Sequence, residues 1–568
     1  MVDISNINFF LTMTTTSEED ANTAAEAHRL GLHALNAGNF KVSLSFFRKA
    51  LKVNPKIIEY WASYIEALVG LERVSDAKSI LQKVRDRGAK ISALDRLEQY
   101  IALLPVDPPA EKMQALIDVY NQGSYQQVIG QAKTLLQKFP NAAELHNIQG
   151  VAYASLGQLD AAIDSYKYTI EIKPDFAEVY SNMGNALQKK GDFDSAIDCY
   201  QQAVMKNPDY AEAYSNMGSA LEKKGALNAA INSYKHAVKI QPDFAEAYSN
   251  MGNALQRNGE LKAAIDSYKR ATRIKPNFVE AYNNMGNVLQ DTGDLDAAIV
   301  SYKQAIKIKP DYAEAAFNLS GASNGIFEAK YWLEQCLAAD NSHLMAKLNL
   351  AALRYYTGDV YNFNDLMRSS LKDHPAMRSY AWVFNLPELP ELYFHRWALF
   401  DRIIEQTKKS RPFYEFGVWR GEAFRYLIKN YEKGYGFDTF DGLPENWHEE
   451  KKGSYSSDGQ IPTIDGGEFI VGQFEDTLPK FFSKSRPVAS LINYDADLYS
   501  STICALNFTK PVIDRHTILI FDEFLINRNW EQDEYKALNQ FCLNNNCTYE
   551  VLAVSFFTKQ VAVRLLGI

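Results

Sequence analysis

The sequence predicts an α solenoid followed by an α/β domain with a doubly wound, mostly parallel, seven-stranded sheet. Prolines recur at Pro140, Pro174, Pro208, Pro242, Pro276 and Pro310, each 34 residues after the last (174 − 140, 208 − 174 and so on). That step is lost after Pro310, and beyond Leu386-Pro387 and Leu389-Pro390 short apolar runs alternate with helix-like stretches. Four of those runs end in an acid, at Glu415, Asp438, Asp495 and Asp522. Acids repeated at strand ends mark the edge where open α/β sheets bind ligands.

Composition narrows the function. The 568 residues exceed a single core, and 46% hydrophobic with 23% charged is the balance of a folded soluble protein. A net charge of −9 lacks the basic surface nucleic acid requires. Cys199, Cys336, Cys504, Cys542 and Cys547 form no C-x-x-C pair and are odd in number, which fits a reducing cytoplasm and argues against a zinc ribbon or disulfide framework. Asn8-Phe9-Phe10-Leu11 is too short for a signal peptide, and no apolar run approaches membrane-spanning length. The expected organisation is a flexible leader over 1–20, a helical solenoid over 21–375 and a second domain over 376–568, with neither nucleic acid nor membrane as partner.

In the solenoid, glycines keep the proline step at Gly150, Gly184, Gly218, Gly252 and Gly286, and again at Gly157, Gly191, Gly225, Gly259 and Gly293. The first set lets paired helices touch, and the second ends each first helix in a left-handed cap. Tyr166, Tyr200, Tyr234, Tyr268 and Tyr302 complete the unit. Through patterns such as Phe176-Ala177-Glu178-Val179-Tyr180-Ser181-Asn182-Met183-Gly184, the chain resembles tetratricopeptide repeats, most of all those of O-linked N-acetylglucosamine transferases. Looser copies surround Gly31, Gly38 and Pro55, then 57–90, then Gly123; the helical stretch from Phe327 to Pro375, with a turn at Gly358, reads as the cap. Asn182, Asn216, Asn250, Asn284 and Asn318 recur at one face. The resemblance implies an asparagine ladder lining a concave groove for a protein or peptide; the alternative is that the amides satisfy neighbouring helices.

In the second domain, a helix from Tyr393 to Lys408 leads to strands over Pro412–Gly417, Tyr435–Asp438, Glu468–Gly472, Ala489–Asp495, Thr517–Asp522, Tyr549–Phe556 and Val561–Leu566. Phe413-Tyr414-Glu415-Phe416-Gly417-Val418-Trp419-Arg420-Gly421-Glu422 reads as a strand turning tightly into a helix, a cofactor seat. Trp419 and Glu422 stand where a dinucleotide fingerprint needs glycine, and no nucleotide-triphosphate loop occurs. An acid 17 residues after the second glycine (438 − 421) suits a nucleoside with a diol.

With Gly436-Phe437-Asp438-Thr439-Phe440-Asp441-Gly442-Leu443-Pro444-Glu445, Gly472 through Pro479, Asp495 through Thr502 and Phe521-Asp522-Glu523-Phe524, the segment from about 385 resembles class I S-adenosylmethionine-dependent methyltransferases, and among them the macrocin O-methyltransferase family. The resemblance implies that Glu415, Gly417 and Gly421 hold the methionine end of S-adenosylmethionine, that Asp438 accepts both ribose hydroxyls, and that Phe474 lies at the cofactor. It also implies that Asp495, Asp522 and Glu523 hold magnesium, which orients and acidifies a sugar or glycan hydroxyl. Asp-Glu stands here where the related enzymes commonly show two aspartates. Asp497 either joins that set or caps the helix opening at Tyr499; the cap is favoured. His448, in a long loop to Gly467, is the candidate general base, with Asp495 or a metal-bound hydroxide as rivals. The rival functions are an interaction scaffold with an inactive methyltransferase-like domain, and methylation of a peptide or protein.

Overall fold

The computed structural model describes residues 18–71, 73–103, 107–457 and 459–568. The expected leader lies outside them up to residue 17, and a helix, Glu18–Asn36, takes in its last three positions. The chain forms two compact units that part between Pro242 and Asp243.

The first unit is built of antiparallel helix pairs, among them Ala143–Ser155 with Leu159–Ile172 and Ala177–Lys190 with Phe193–Lys206. The 34-residue step has a steric cause. A Cβ at Gly184 would stand 2.7 Å from Cε1 of Tyr200, so only glycine lets that ring lie across the first helix. Tyr200 is fully buried, a burial worth about 1.5–3 kcal/mol, and its hydroxyl donates to Asn185 Oδ1 at 2.7 Å. Gly191, at φ +83°, then ends the helix as expected.

The second unit opens with more pairs, Ala245–Arg257 with Leu261–Ile274, Val279–Asp291 with Leu295–Ile308, Ala313–Gly321 with Ile326–Ala339, and Leu344–Tyr356 with Tyr361–Met367. They do not end at a domain boundary near 376. Ala329, Leu333, Leu350 and Tyr380 share one hydrophobic core with Phe521, Phe524 and Phe556. The sheet and the last repeats are therefore one packed body, which loss of the proline step could not reveal.

The sheet has eight strands rather than seven: β1 Glu391–Tyr393, β2 Phe413–Phe416, β3 Gly434–Asp438, β4 Gly467–Val471, β5 Leu491–Tyr494, β6 Ile518–Phe521, β7 Thr548–Ser555 and β8 Val561–Leu566. Their order is β1-β7-β8-β6-β5-β2-β3-β4, parallel except for β8, which runs against β6 and β7. The extra strand displaces the start of the expected helix. Tyr393 pairs with Ser555, and the helix spans Arg396–Glu405; three residues are too few to show a period-2 pattern.

From β2 the chain moves outward through β3 and β4, then returns to place β5 and β6 on the other flank of β2. The order thus reverses between β2 and β5, the position at which such sheets open a crevice beyond their carboxyl ends. Phe437, Phe416, Tyr494 and Phe521 stack across these four strands, with neighbouring ring centroids 4.7, 5.4 and 5.0 Å apart. The next residue on each strand is Asp438, Gly417, Asp495 and Asp522. One aromatic row therefore sets the register of the row at the rim.

Candidate functional site

Beyond that rim lies a cavity of about 280 Å3, lined by Gly417, Trp419, Asp438, Phe474, Asp495, Asp497, Asp522, Glu523 and Arg396, among others. Gly417 (φ +89°) approaches β5 so closely that a side chain there would collide with the carbonyl oxygen of Asp495. The loop after it is pinned by Asp438, whose Oδ2 accepts from Val418 N and Trp419 N and whose Oδ1 accepts from Phe440 N, all at 2.7 Å. Those charge-assisted bonds leave Asp438 with Oδ1 as its freer acceptor. Gly421 caps the helix Glu422–Leu427 in the left-handed conformation and faces Pro462 and Ile464, not the cavity.

Glu415 does not reach the rim. It lies two residues inside Gly417 on a fully buried strand, 1% exposed, beside Asn493 in register, and its Oε2 has no hydrogen-bond partner. Burial, with the nearby charge of Asp522, pushes its carboxyl well above the usual range. It sits in the floor of the site rather than in its lining.

His448 is also displaced from its expected place. Its Nε2 lies 2.9 Å from Asp533 Oδ2, and its neighbour Trp447, not the imidazole, lines the cavity. The long loop still covers the site, since Leu443, Pro444, Trp447 and Tyr455 line it and Trp419 Nε1 donates to Ser456 O at 3.3 Å. Asp497 is not a helix cap. Leu498 holds that position without a side-chain bond, while Asp497, at φ +58°, borders the cavity. Burial first and neighbouring carboxylates second push both Asp495 and Asp497 well above the carboxylate range. Trp530 is packed, 2% exposed, against Trp382 and Tyr535.

Several residues at the site carried no signal in the sequence. Arg396, first in its helix, donates from Nη2 to Asp522 Oδ2 at 3.1 Å; Gln560 Nε2 donates to Asp522 Oδ1 at 2.7 Å. Lys559 Nζ and Asn527 Nδ2 donate to Glu523 Oε2 at 2.7 and 2.8 Å. Glu534, fully buried, accepts from Glu523 N at 3.1 Å. The repeats join in: Trp397 Nε1 donates to Gln290 O at 2.7 Å, and Asp291 feels the charge of Arg396. An arginine in a helix before the sheet looks like any surface arginine until the fold places it.

The expected magnesium ligands do not fit a divalent ion as they stand. Asp522 and Glu523 already direct oxygens at cationic and amide donors, and among the described residues no three His, Cys, Asp or Glu side chains are grouped to hold a metal. The acid-rich lining of the cavity as a whole suits a cationic nucleoside. Among the described residues, six carboxyls (Asp438, Glu475, Asp495, Asp497, Asp522, Glu523) and one guanidinium line the cavity, alongside the faces of Trp419 and Phe474.

The asparagine row satisfies its own members in part. Within the first unit Asn182 Nδ2 donates to Asn147 Oδ1 at 3.2 Å; within the second, Asn284 donates to Asn253 at 3.0 Å and Asn318 to Asn283 and Asn287 at 2.9 and 3.0 Å. Asn216 and Asn250 stay half-buried without such a partner among the described residues.

Family models described as TPR repeat match residues 150–191, 184–225, 223–259 and 257–293, and one described as tetratricopeptide repeat matches 279–312; the chain carries tetratricopeptide repeats. Similar solved structures include MamA (28% identity, 29% of this chain and 96% of that one, TM-score 0.28). They also include YrrB, described as a TPR protein with an unusual peptide-binding site (21%, 32% and 95%, 0.29), and Cut9–Hcn1 of the APC/C (14%, 58% and 75%, 0.35). Those scores carry no functional inference. No curated protein matches the chain. Among the described residues no helix is long and apolar enough to cross a membrane.

Proposed function

We propose that the second unit is an S-adenosylmethionine-dependent O-methyltransferase acting on a hydroxyl of a sugar or glycan, and that the repeats bind a protein or peptide partner. The observation that carries this reading is the rim itself: a glycine turn pressed against β5, Asp438 holding that turn, and an excess of carboxyls around a cavity at the β2/β5 reversal. When bound, S-adenosylmethionine supplies an electrophilic methyl on a positively charged sulfur. Gly417 would admit the ligand against the backbone, Asp438 Oδ1 would accept from a ribose hydroxyl, and Phe474 would face the base. Asp495 and Asp497, held toward their protonated forms by burial, would ionise as a cation enters beside them. Either carboxylate, once ionised, would be placed to take the proton from the acceptor's hydroxyl.

Equilibrium dialysis of labelled cofactor against the full chain tests the binding half. A screen of nucleotide sugars and glycans for labelled methyl tests the chemistry. The tetratricopeptide match favours a second reading, an interaction scaffold with an inactive methyltransferase-like unit. Absence of cofactor binding at millimolar concentration selects it. Transfer to a peptide but to no sugar selects peptide methylation instead.

A further inference from the structure

The acceptor half of the cavity is neutralised by the chain itself. Asp522 is 3% exposed and accepts at both oxygens, from Arg396 and from Gln560; Glu523 accepts from Lys559 and Asn527. Magnesium demands about six oxygens near 2.1 Å in octahedral order. Here three of the oxygens such an ion would use, both of Asp522 and Oε2 of Glu523, already accept from N–H donors, and two of those four donors carry full positive charge.

Arg396 is also held from behind. His395, buried and neutral because burial lowers its pKa to about 4, caps the helix by accepting from Ala398 N at 3.1 Å. The next residue, Trp397, is fastened to Gln290 O, and its ring lies 3.5–3.6 Å from where a Cβ on Gly293 would stand. The turn of a tetratricopeptide repeat thus grips the helix at its first residues. Its Asp291 adds to the negative charge that Asp522 and then Asp495 place around the guanidinium. The Arg396 side chain remains 32% exposed, lines the cavity, and has no protein acceptor other than Asp522 among the described residues.

We propose that Arg396 is the resident cation of the acceptor site: it stands in place of a divalent ion and donates its remaining N–H groups to the acceptor's oxygens. A guanidinium is always charged and presents a planar fork, so it can grip vicinal oxygens of a sugar as two hydrogen bonds. The acceptor's identity rests on the methyl-transfer reading; the replacement of a metal does not.

Manganese is the probe, read by electron paramagnetic resonance on the full chain with and without S-adenosylmethionine. The expected result is no stoichiometric manganese site in the wild type, and a new one in Arg396→Met, where Asp522 loses its counter-charge. A wild-type site that Asp522→Asn removes would overturn the proposal. If Arg396→Met does not fold, judged by circular dichroism, the wild-type manganese measurement alone decides. With any acceptor found by the screen, exhaustive chelation should leave wild-type turnover unchanged, whereas Arg396→Met should raise the acceptor KM at least tenfold with cofactor Kd within twofold, and Arg396→Lys should recover part of it. Loss of turnover on chelation, restored by magnesium, also overturns it. The methyl-transfer reading fails separately, through absence of cofactor binding in the wild type.

Discussion

Arg396 and Asp522 meet 3.1 Å apart across 126 residues of sequence, one at the start of a helix that precedes the sheet's centre and the other at the end of β6. Their pairing links the repeat turn at Gln290–Asp291 to the carboxyl rim of the sheet.

Asp522→Asn keeps the shape and the Gln560 contact but removes the charge opposite Arg396. The expected loss is about 2 kcal/mol of stability, the scale of a hydrogen bond to a charged group. Chemical denaturation monitored at the sheet unit checks it, and cofactor Kd should move less than twofold.

Asp438→Ala removes the acceptor of three backbone N–H groups and so frees the turn after Gly417. Cofactor affinity should fall by about 1.5–3 kcal/mol, roughly ten- to a hundredfold. Calorimetric titration of S-adenosylmethionine reads the change directly.

Gly417→Ala places a methyl against the Asp495 carbonyl in a conformation, φ +89°, that favours glycine. Cofactor binding should be abolished and the midpoint of thermal unfolding lowered. Retained affinity would show that β5 yields at this point.

Stability should depend on pH through the buried acids. Glu415 and Asp495 have folded pKa values raised above their unfolded ones, so the folded state binds more protons. Their protonated forms fit the fold fully below the unfolded values near pH 4, and stability falls as pH rises from there through the folded pKa. Glu415→Gln should flatten that fall, with a higher unfolding midpoint than wild type at pH 8 and little difference at pH 5. A slope unchanged by the substitution would exclude Glu415 as its source.

A chain beginning at Asp243 should fold cooperatively and bind the cofactor, because it keeps the core joining Leu333 and Tyr380 to Phe521. One beginning at residue 376 loses that core and the Trp397–Gln290 bond, and should aggregate or melt without a transition. Circular dichroism with analytical sedimentation distinguishes the two.

Much of this arrangement is legible in the sequence. The helix pairs follow from Gly184 and Tyr200 recurring together, since a missing Cβ and a buried ring are a local, periodic requirement. The strands from β2 to β8 follow from apolar runs set between helix-like stretches, with acids marking the ends of β3, β5 and β6. What misled was distance along the chain: His448 looked catalytic because imidazoles titrate near neutrality, yet its partner is Asp533, 85 residues away. Asp497 looked like a cap because it precedes a helix, yet its left-handed backbone turns it toward the cavity rim.

By itself the sequence determined the helix pairs, the strands from β2 to β8 and their order along the chain, because propensity, period and turn chemistry act over a few neighbours. Only the tertiary structure decided which of those acids line a cavity, which is buried beneath it, and which cation each one meets. Charges interact through space, and the side chains that balance Asp522 and Glu523 come from a helix 126 residues earlier and a turn more than 30 residues later.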